Sequence, residues 1–323
     1  MSKLNFNDFL FRASNSYFLT IGNIGITESQ EKEIESLIKE RDTGINENGN
    51  KVKWTDNKKQ KLDKLLDAKE NPSISKTAET ELIKIYREVK YNRRFLFTNK
   101  YVQKGLQQED ESFSLYQKYL KEVKGVNAIL INNKERLNGK YFTGESDVSK
   151  EFYKQFNWGF DVKTVWSLET MPTKEYKSNK FVFEKSKLNP EYECQDLVYM
   201  DLIKELQGIE LDHFKTSSVL VNSTERTLFN EKMKHLGAND NDEEACKDIY
   251  KELEKTHIVD YDRFKHVYPH HDLEITREEW YGNEWDIPLT DRVIEKKVFP
   301  NEEKVSLMKE RVILYREILN NMV

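Results

Sequence analysis

Apolar residues in the first part of the chain recur at helical spacing. Leu62, Leu65 and Leu66 share one side of a lysine-rich segment, as the apolar residues of an amphipathic helix do. Thr27, with Gln30 three residues later, forms a capping-box pattern that marks a helix start. These patterns predict helices over four segments: 27–42, 55–71, 73–91 and 102–123. Turn-rich residues separate the first two.

Beyond residue 125 the spacing changes to the alternation that is typical of strands. The segments predicted as strands are 127–132, 141–148, 159–167 and 215–223. A helix is predicted over roughly 189–206, and a final helix begins at about 301. This order of elements predicts an α/β fold, in which a small mixed central sheet is flanked by helices and preceded by a helical N-terminal region.

No internal repeat and no glycine- or serine-rich linker marks a domain boundary. We therefore expect one compact unit made of three regions. These are a helical N-terminal region at 1–98, a core at 99–232 and a helical and irregular C-terminal extension at 233–323.

Composition bounds the possible functions. The chain has 323 residues, 37% of them hydrophobic and 34% charged, which is enough for a sizeable core beneath a heavily charged surface. The net charge of −5 argues mildly against a nucleic-acid-binding protein. Segment 76–100 nevertheless carries seven basic against three acidic residues, so a local basic surface is compatible with the sequence.

Cysteine usage and hydropathy indicate the compartment. Cys194 and Cys246 are the only cysteines, too few for a disulfide framework or a four-thiolate cluster. The start of the chain lacks the apolar core of a signal peptide, and no run of about 18 apolar residues occurs. We expect a cytoplasmic protein with no membrane contact.

Two charged residues stand inside one of the predicted strands. Asp161 and Lys163 are two positions apart, so both side chains emerge on the same face. Other Asp/Glu-x-Lys tripeptides lie in predicted helices or loops, where a solvated surface explains them; they begin at 56, 88, 122, 295 and 302. In a predicted buried strand, the pair favours a functional site over the alternative of a salt bridge on an edge strand.

Further candidate residues flank this strand. Asp147 ends the preceding predicted strand, and Gln195 and Tyr199 lie four residues apart on one face of the following helix. The strand–Asp, strand–Asp-x-Lys and Gln-x-x-x-Tyr arrangement resembles the PD-(D/E)XK nuclease superfamily. Within that superfamily, the chain is similar to the RecB-like and lambda-exonuclease-like (YqaJ-type) phage recombination nucleases.

Other parts of the chain extend this resemblance. Gly105 and Glu109 match the family's Gly-x-x-x-Glu helix, and 11–20 resembles an Arg-x-Ser segment near the start of many phage members. One departure is Ser146, where the motif often has proline before its acid. Another is the connection at 147–161, which is longer and more aromatic than a tight hairpin. It leaves the pairing of the two strands open, and an insertion that contacts substrate is the alternative.

The resemblance implies a restriction-endonuclease-like core that hydrolyses phosphodiester bonds with one or two Mg²⁺ or Mn²⁺ ions. Such hard cations prefer oxygen ligands. By the resemblance, the metal ligands are Glu109, Asp147, Asp161 and the carbonyl of Val162. Lys163 would hold or help deprotonate the attacking water, whereas Gln195 and Tyr199 would position the phosphate or the acids.

Candidates for DNA contact lie outside this core: Arg12, Ser14, Arg93, Arg94 and Lys104. The resemblance implies that Arg12 and Ser14 grip a terminal 5′-phosphate, and an ordinary helix start is the alternative. The remaining three are basic residues that could contact the DNA backbone or form an unspecialised basic surface.

A rival metal cluster and other chemistries are less well supported. His266, His270 and His271 stand near Asp272, but their spacing fits no transition-metal signature, so a loop packed on aromatics is favoured. No glycine-rich phosphate loop is present, which gives no indication of ATP use. The two cysteines also exclude a Cas4-like nuclease with an iron–sulfur cluster.

We therefore predict a Mg²⁺-dependent deoxyribonuclease, in particular a double-strand-end exonuclease of phage recombination or replication. One alternative is a structure-specific or single-strand endonuclease. The other is a catalytically silent module with a nuclease fold that binds nucleic acid or protein. Family analogy adds a single-strand annealing protein as partner, a homo-oligomer, and the cytoplasm of a bacterial host as location.

Overall fold

The computed structural model falls into two compact units. It describes residues 4–22, 28–46, 48–70, 74–94, 99–130, 133, 135–172, 175–177, 180–182, 188–260, 262–263 and 286–322. One unit comprises Met1–Phe9, Tyr17–Phe95 and Ser306–Val323, and the other comprises Leu10–Ser16 and Leu96–Val305. All described strands lie in the second unit.

The first unit is helical, as the apolar spacing predicts. Its helices are α1 (Glu28–Thr43), α2 (Asp56–Glu70) and α3 (Lys76–Tyr91). The first two pack through a small core of Ile34, Leu37, Leu62 and Leu65. Helix α3 begins at the N-cap Ser75, whose side chain accepts a hydrogen bond from the amide of Ala78.

The end of the chain belongs to the same unit. The last helix (Glu302–Asn321) is α11, and its Tyr315 ring stacks on Phe18 with centroids 5.9 Å apart. Arg316 donates to the carbonyl of Phe9 at 2.7 Å, and the side chain of Asn320 accepts from the amide of Phe6 at 2.8 Å. The two ends of the chain are therefore held together by buried rings and charged hydrogen bonds.

The second unit contains two small mixed sheets. In one, β3 (Phe142–Glu145) lies between β1 (Phe11–Arg12), which is parallel to it, and β2 (Arg136–Asn138), which is antiparallel. In the other, β7 (His213–Val219) lies between parallel β4 (Trp158–Thr164) and antiparallel β8 (Val293–Val298). A two-stranded ribbon pairs β5 (Glu175–Lys177) with β6 (Lys180–Val182).

Helices surround these sheets and complete the predicted α/β class. In chain order they are α4 (Lys100–Gln107), α5 (Glu109–Glu122), α6 (Lys150–Phe156), α7 (Pro190–Gln207), α8 (Glu225–Ala238), α9 (Glu243–His257) and α10 (Leu289–Arg292). Short 3₁₀ stretches cover Ala13–Thr20 and Leu168–Thr170. The fold class is confirmed, although the single central sheet of the prediction is divided in two.

Several local predictions are wrong. Residues 127–130 form no strand, and Ile129 is 84% exposed. Five strands (β1, β2, β5, β6 and β8) and helix α6 were not predicted. The single helix expected over 102–123 is two helices that meet at Gln108, whose φ of −120° and ψ of 18° are not helical.

The aromatic connection at 147–161 serves the core. It contains α6, and the Phe152 ring lies edge-on to Phe160 at 5.2 Å and to Trp158 at 4.8 Å. Tyr116 of α5 also packs edge-on against Phe160, at 5.0 Å. These rings bury the face of β4 opposite to Asp161, so the structure assigns them a packing role.

Both cysteines lie in the interior of the protein. Cys194 and Cys246 are buried and are not joined in a disulfide. Among the described helices, none has the length and apolar character needed to cross a membrane.

Gly159 is required where β4 meets β7. It is paired with Phe214, and a Cβ built on Gly159 would lie 2.3 Å from the Phe214 ring. We expect Gly159→Ala to lower the free energy of unfolding by about 1–3 kcal/mol, because the ring must leave its position. Urea denaturation measures this change.

Gly237 provides the matched control. It lies in α8 with no atom within 4 Å of an added Cβ, so Gly237→Ala should be neutral or raise the free energy of unfolding by up to about 1 kcal/mol. Equal losses in both variants would contradict the close contact at Gly159.

Candidate functional site

Strand β4 presents the two charged residues of the sequence motif on one face. Asp161 is 4% exposed, and the Lys163 ammonium forms an ion pair with its carboxylate. Asp161 is paired with Thr216 of β7, so the two side chains are neighbours on this face. The spacing of two thus produces the shared face that the sequence predicts.

Asp147 reaches the same strand from the other sheet. It follows β3, and its backbone is held by Asn133, whose side chain donates to the carbonyl of Ser146 at 3.0 Å. Its Oδ2 accepts a hydrogen bond of 2.7 Å from the amide of Val162. Strands β3 and β4 lie in different sheets and do not pair with each other. The side chain of Asp147, which follows β3, instead bonds to the backbone of β4.

The Val162 carbonyl projects from the same edge of β4. In an extended strand the N–H and C=O of one residue point to the same side, and the Val162 amide points to Asp147. Within the described residues, β4 has a strand partner only on its other edge, where β7 lies. The carbonyl that the resemblance implies as a ligand is therefore on the side of the two acids.

Helix α7 covers this face with hydrogen-bonding groups. The Gln195 amide donates to the Tyr199 hydroxyl at 2.9 Å and lies 3.5 Å from Asp161 Oδ1. Lys163 donates to Gln195 Oε1 at 3.4 Å. Gly144 of β3 makes room for the Tyr199 ring, since an added Cβ would lie 2.7 Å from it.

Two residues of the same helix face were missed by sequence reasoning. Asp196 is 1% exposed, and its Oδ2 accepts a hydrogen bond of 2.6 Å from the Thr216 hydroxyl. The Lys163 ammonium lies 5.1 Å from the centroid of the Tyr192 ring. The helical period could have found both, because positions 192, 195, 196 and 199 follow the i, i+3, i+4, i+7 spacing of one helix face.

Glu109 begins α5, immediately after the break between α4 and α5. Gln108 lies at this break, and its side chain donates a hydrogen bond to the carbonyl of Asn222, which holds the break in place. After burial and the charge of Asp161, the charge of Glu109 makes a small contribution to the raised pKa of Asp147. Among the described residues, however, Glu109 does not join Asp147 and Asp161 in a group of three at metal-ligand distance.

Lys104 takes a different position from the predicted one. It is 2% exposed, and its ammonium donates to the carbonyl of Trp166 at 2.6 Å and to the Ser223 hydroxyl at 2.9 Å. Burial lowers its pKa to about 7. The prediction that Lys104 contacts DNA is wrong, because its side chain connects α4 to the ends of β4 and β7 inside the protein.

The other DNA candidates are on the surface. Arg12 and Ser14 are exposed, and β1 places Arg12 opposite Thr143 in the strand that leads to Asp147. Arg93 and Arg94 are exposed after α3, in the first unit. The histidine cluster at 266–272 lies outside the described residues.

The pKa values of the site reflect crowded negative charge. Burial, and then the charge of Asp161, raises the pKa of Asp147 to about 7. Burial opposes the charged form of Lys163, but Asp161 and Asp147 outweigh it and raise the lysine pKa above its usual range. Burial and the charge of Asp161 also raise the pKa of Asp196 and of Tyr199.

These residues fit a divalent cation in charge and ligand type. Asp147 and Asp161 bring two carboxylates together at β4, with the Lys163 ammonium beside them. A further positive charge would therefore stabilise both carboxylates. Among the described residues, no three His, Cys, Asp or Glu side chains gather at ligand distance. Mg²⁺ commonly uses one or two carboxylates and completes its shell with water and substrate phosphate, which agrees with this arrangement.

Comparison with solved structures finds a protein of the same fold. A phage-related exonuclease from Haemophilus somnus 129PT matches 97% of this chain and 95% of its own, with a TM-score of 0.52 and 13% identity. An alkaline exonuclease from Laribacter hongkongensis matches 77% of this chain and 82% of its own, with a TM-score of 0.39 and 10% identity.

No protein-family model and no curated protein matches the chain. The fold that the sequence resemblance implies is confirmed by the first structural match. At 13% identity this likeness concerns the fold and does not extend to activity.

Asp147 should make stability depend on pH when no metal is bound. Its carboxyl loses a proton near the ordinary value of 3.8 in the unfolded chain but keeps it until about pH 7 in the folded protein. The folded state then binds more protons between these values, so the free energy of unfolding falls as pH rises from about 4 to 7. Asp147→Asn keeps an acceptor for Val162 and should remove much of this fall, as urea denaturation in chelator will measure.

Glu145→Gln is the control, because Glu145 is an exposed carboxylate only two residues away. That variant should keep the pH profile of the wild type. A profile in Asp147→Asn that follows the wild type would mean that Asp147 is not the group responsible.

Proposed function

We propose that the protein is a metal-dependent DNA nuclease that degrades duplex DNA from an end. The observation that carries this proposal is the meeting of Asp147 with Asp161 and Lys163 at the edge of β4 through the Val162 amide. This arrangement combines carboxylate ligands with a fixed cation, which is what hydrolysis of a phosphodiester requires. The fold is shared with a phage-related exonuclease, so the scaffold is compatible with this reaction.

The protein groups have distinct tasks in this proposal. A Mg²⁺ or Mn²⁺ ion, held by Asp147 and Asp161 with the Val162 carbonyl and Glu109 as further candidate ligands, would supply positive charge beside the scissile phosphate. Lys163 has a pKa above its usual range, so it stays charged and donates hydrogen bonds. It therefore suits the holding of the attacking water or a phosphate oxygen better than the removal of a proton.

Helix α7 holds the side chains of Asp161 and Lys163 in position. Gln195 bonds both to Lys163 and to Tyr199, and it lies beside Asp161. An amide can donate and accept at once, so Gln195 can orient the acid and the ammonium without adding charge. We assign Gln195 and Tyr199 to positioning, in agreement with the raised pKa that keeps the Tyr199 hydroxyl protonated.

Substitution of Asp161 tests the chemistry. Asp161→Asn removes the charge of one ligand at nearly constant volume, so we expect hydrolysis of a linear duplex with Mg²⁺ to fall by about 10²–10³-fold or more. Release of labelled nucleotides measures the rate, and circular dichroism shows that the variant is folded.

Asp212→Asn is the matched control, because Asp212 is an exposed acid that precedes the first residue of β7. It should retain wild-type activity. Wild-type activity in Asp161→Asn as well would exclude this site as the nuclease centre.

Preference for ends separates the exonuclease from its nearest alternative. An exonuclease degrades linear duplex and spares covalently closed circles, whereas a structure-specific or single-strand endonuclease cuts suitable circles. The same proposal places the enzyme in the cytoplasm with DNA. A homo-oligomer and a single-strand annealing partner that receives the product strand also belong to the proposal, by family analogy.

Arg12 is proposed to bind the terminal 5′-phosphate. It is exposed on β1, beside the strand that leads to Asp147. Arg12→Gln should lower the rate on 5′-phosphorylated duplex ends by about tenfold, because one charge-assisted contact is lost, and should leave 5′-hydroxyl ends unaffected. Rates on the two end-labelled substrates measure the difference.

Arg226→Gln serves as the control, since Arg226 is an exposed arginine on α8. It should lower neither rate selectively. Equal losses on both substrates in Arg12→Gln would show a general electrostatic effect and contradict phosphate recognition.

A further inference from the structure

A half-buried aromatic residue lies beside the charged site. Tyr192 lies in the first turn of α7, and Lys163 places its ammonium 5.1 Å from the centre of the ring. This distance is within the range of a cation–π contact. The ring thus lies beside the group that the proposed function assigns to the phosphate or the attacking water.

Exposure along α7 distinguishes Tyr192 from the rest of its face. Gln195, Asp196 and Tyr199 are 6%, 1% and 4% exposed, whereas Tyr192 is only half-buried. The Lys163 side chain is also accessible, at 26%. Tyr192 and Lys163 are therefore the members of this cluster that an incoming molecule can touch.

Among the described residues, none forms a hydrogen bond with the Tyr192 hydroxyl. The interior tyrosine, Tyr199, in contrast receives a hydrogen bond on its hydroxyl from Gln195. What Tyr192 offers is its ring. An accessible ring beside a fixed cation suits a ligand that has a flat aromatic group next to an anion.

A nucleotide has this combination. Its base and its phosphate are joined through one sugar, so a phosphate at Lys163 brings the attached nucleoside close to the ring of Tyr192. Stacking on an aromatic ring does not discriminate between bases, because every base has a π-face. An enzyme that degrades DNA of any sequence needs that tolerance.

We propose that Tyr192 stacks on the nucleobase beside the scissile phosphate and so sets the position of the phosphate over Lys163. This inference rests on the proposed nuclease function and adds a substrate contact to it. Tyr192 is a binding residue in this view, and its hydroxyl is dispensable. The alternative is that the ring only shields the Lys163–Asp161 ion pair from water.

A double-mutant cycle between protein and DNA separates the two views. Wild type, Tyr192→Phe and Tyr192→Leu are each titrated, in chelator, with a fluorescent duplex and with duplexes that carry one abasic position near the end. Fluorescence anisotropy gives the dissociation constants. The same cycle is repeated as kcat/KM with Mg²⁺.

If Tyr192 stacks on a nucleobase, the effect of Tyr192→Leu on binding should depend on whether the base is present at one nucleotide position. With the intact duplex, Tyr192→Leu should weaken binding by about 5- to 150-fold, whereas Tyr192→Phe should bind like the wild type. With the base removed at the stacked position, wild type and Tyr192→Leu should become equal. Thermal unfolding should be similar in all three proteins.

Additive losses would overturn the inference. If Tyr192→Leu weakens intact and abasic duplexes to the same extent at every position, the ring acts through Lys163 or through the fold. A requirement for the hydroxyl, seen as a loss in Tyr192→Phe, would overturn it too. Failure of the wild type to bind or degrade any DNA would instead remove the proposed nuclease function.

Discussion

The hydrogen bond from the Val162 amide to the Asp147 carboxylate is the constraint on which the site depends. Within the part of the chain that the structure describes, each of the two sheets has three strands, and β4 pairs with β7 along one edge. A carboxylate takes the place that another strand would occupy on the opposite edge, which satisfies an edge amide without extending the sheet. The same contact fixes Asp147 next to Asp161, so the join between the sheets and the acidic site are one feature.

Bringing two acids together in a partly buried place has an electrostatic cost. It appears in the raised pKa of Asp147, for which burial and the charge of Asp161 are the main causes. Lys163 offsets part of that repulsion, and Gln195 and Tyr199 of α7 add an amide and a hydroxyl. Burial and the charge of Asp161 raise the pKa of Asp196, the acid on the same helix face, which favours its neutral form. The cluster is therefore stable when folded but favours any additional cation, which is the electrostatic condition of a metal site.

Periodicity predicted most helices and the two strands that carry the site, because their apolar faces are buried. The strands that escaped are rich in charge. In β8, Glu295 is satisfied by Lys215 at 3.0 Å and by the Tyr116 hydroxyl at 2.7 Å, partners that lie far away in sequence. Conversely, the alternating run at 127–130 found no strand to pair with, and a side chain, Gln117, accepts from the amide of Leu130 instead. Pairing depends on distant segments, so local pattern could not decide these cases.

The site residues divide along the same line. Asp161 and Lys163 were predictable because a strand period of two determines which face they share. Lys104 was not, since its basic side chain looks like a surface residue until the carbonyls that receive its ammonium are known. The residues of helix α7 were predictable only in part. Gln195 and Tyr199 were found from their spacing of four, and Tyr192 and Asp196 lie on the same helix face at the i, i+3, i+4, i+7 spacing. The first turn of α7 leaves Tyr192 half-buried, whereas the next turn buries Asp196 at 1% exposure. The chemistry that each residue can perform follows from this difference in depth.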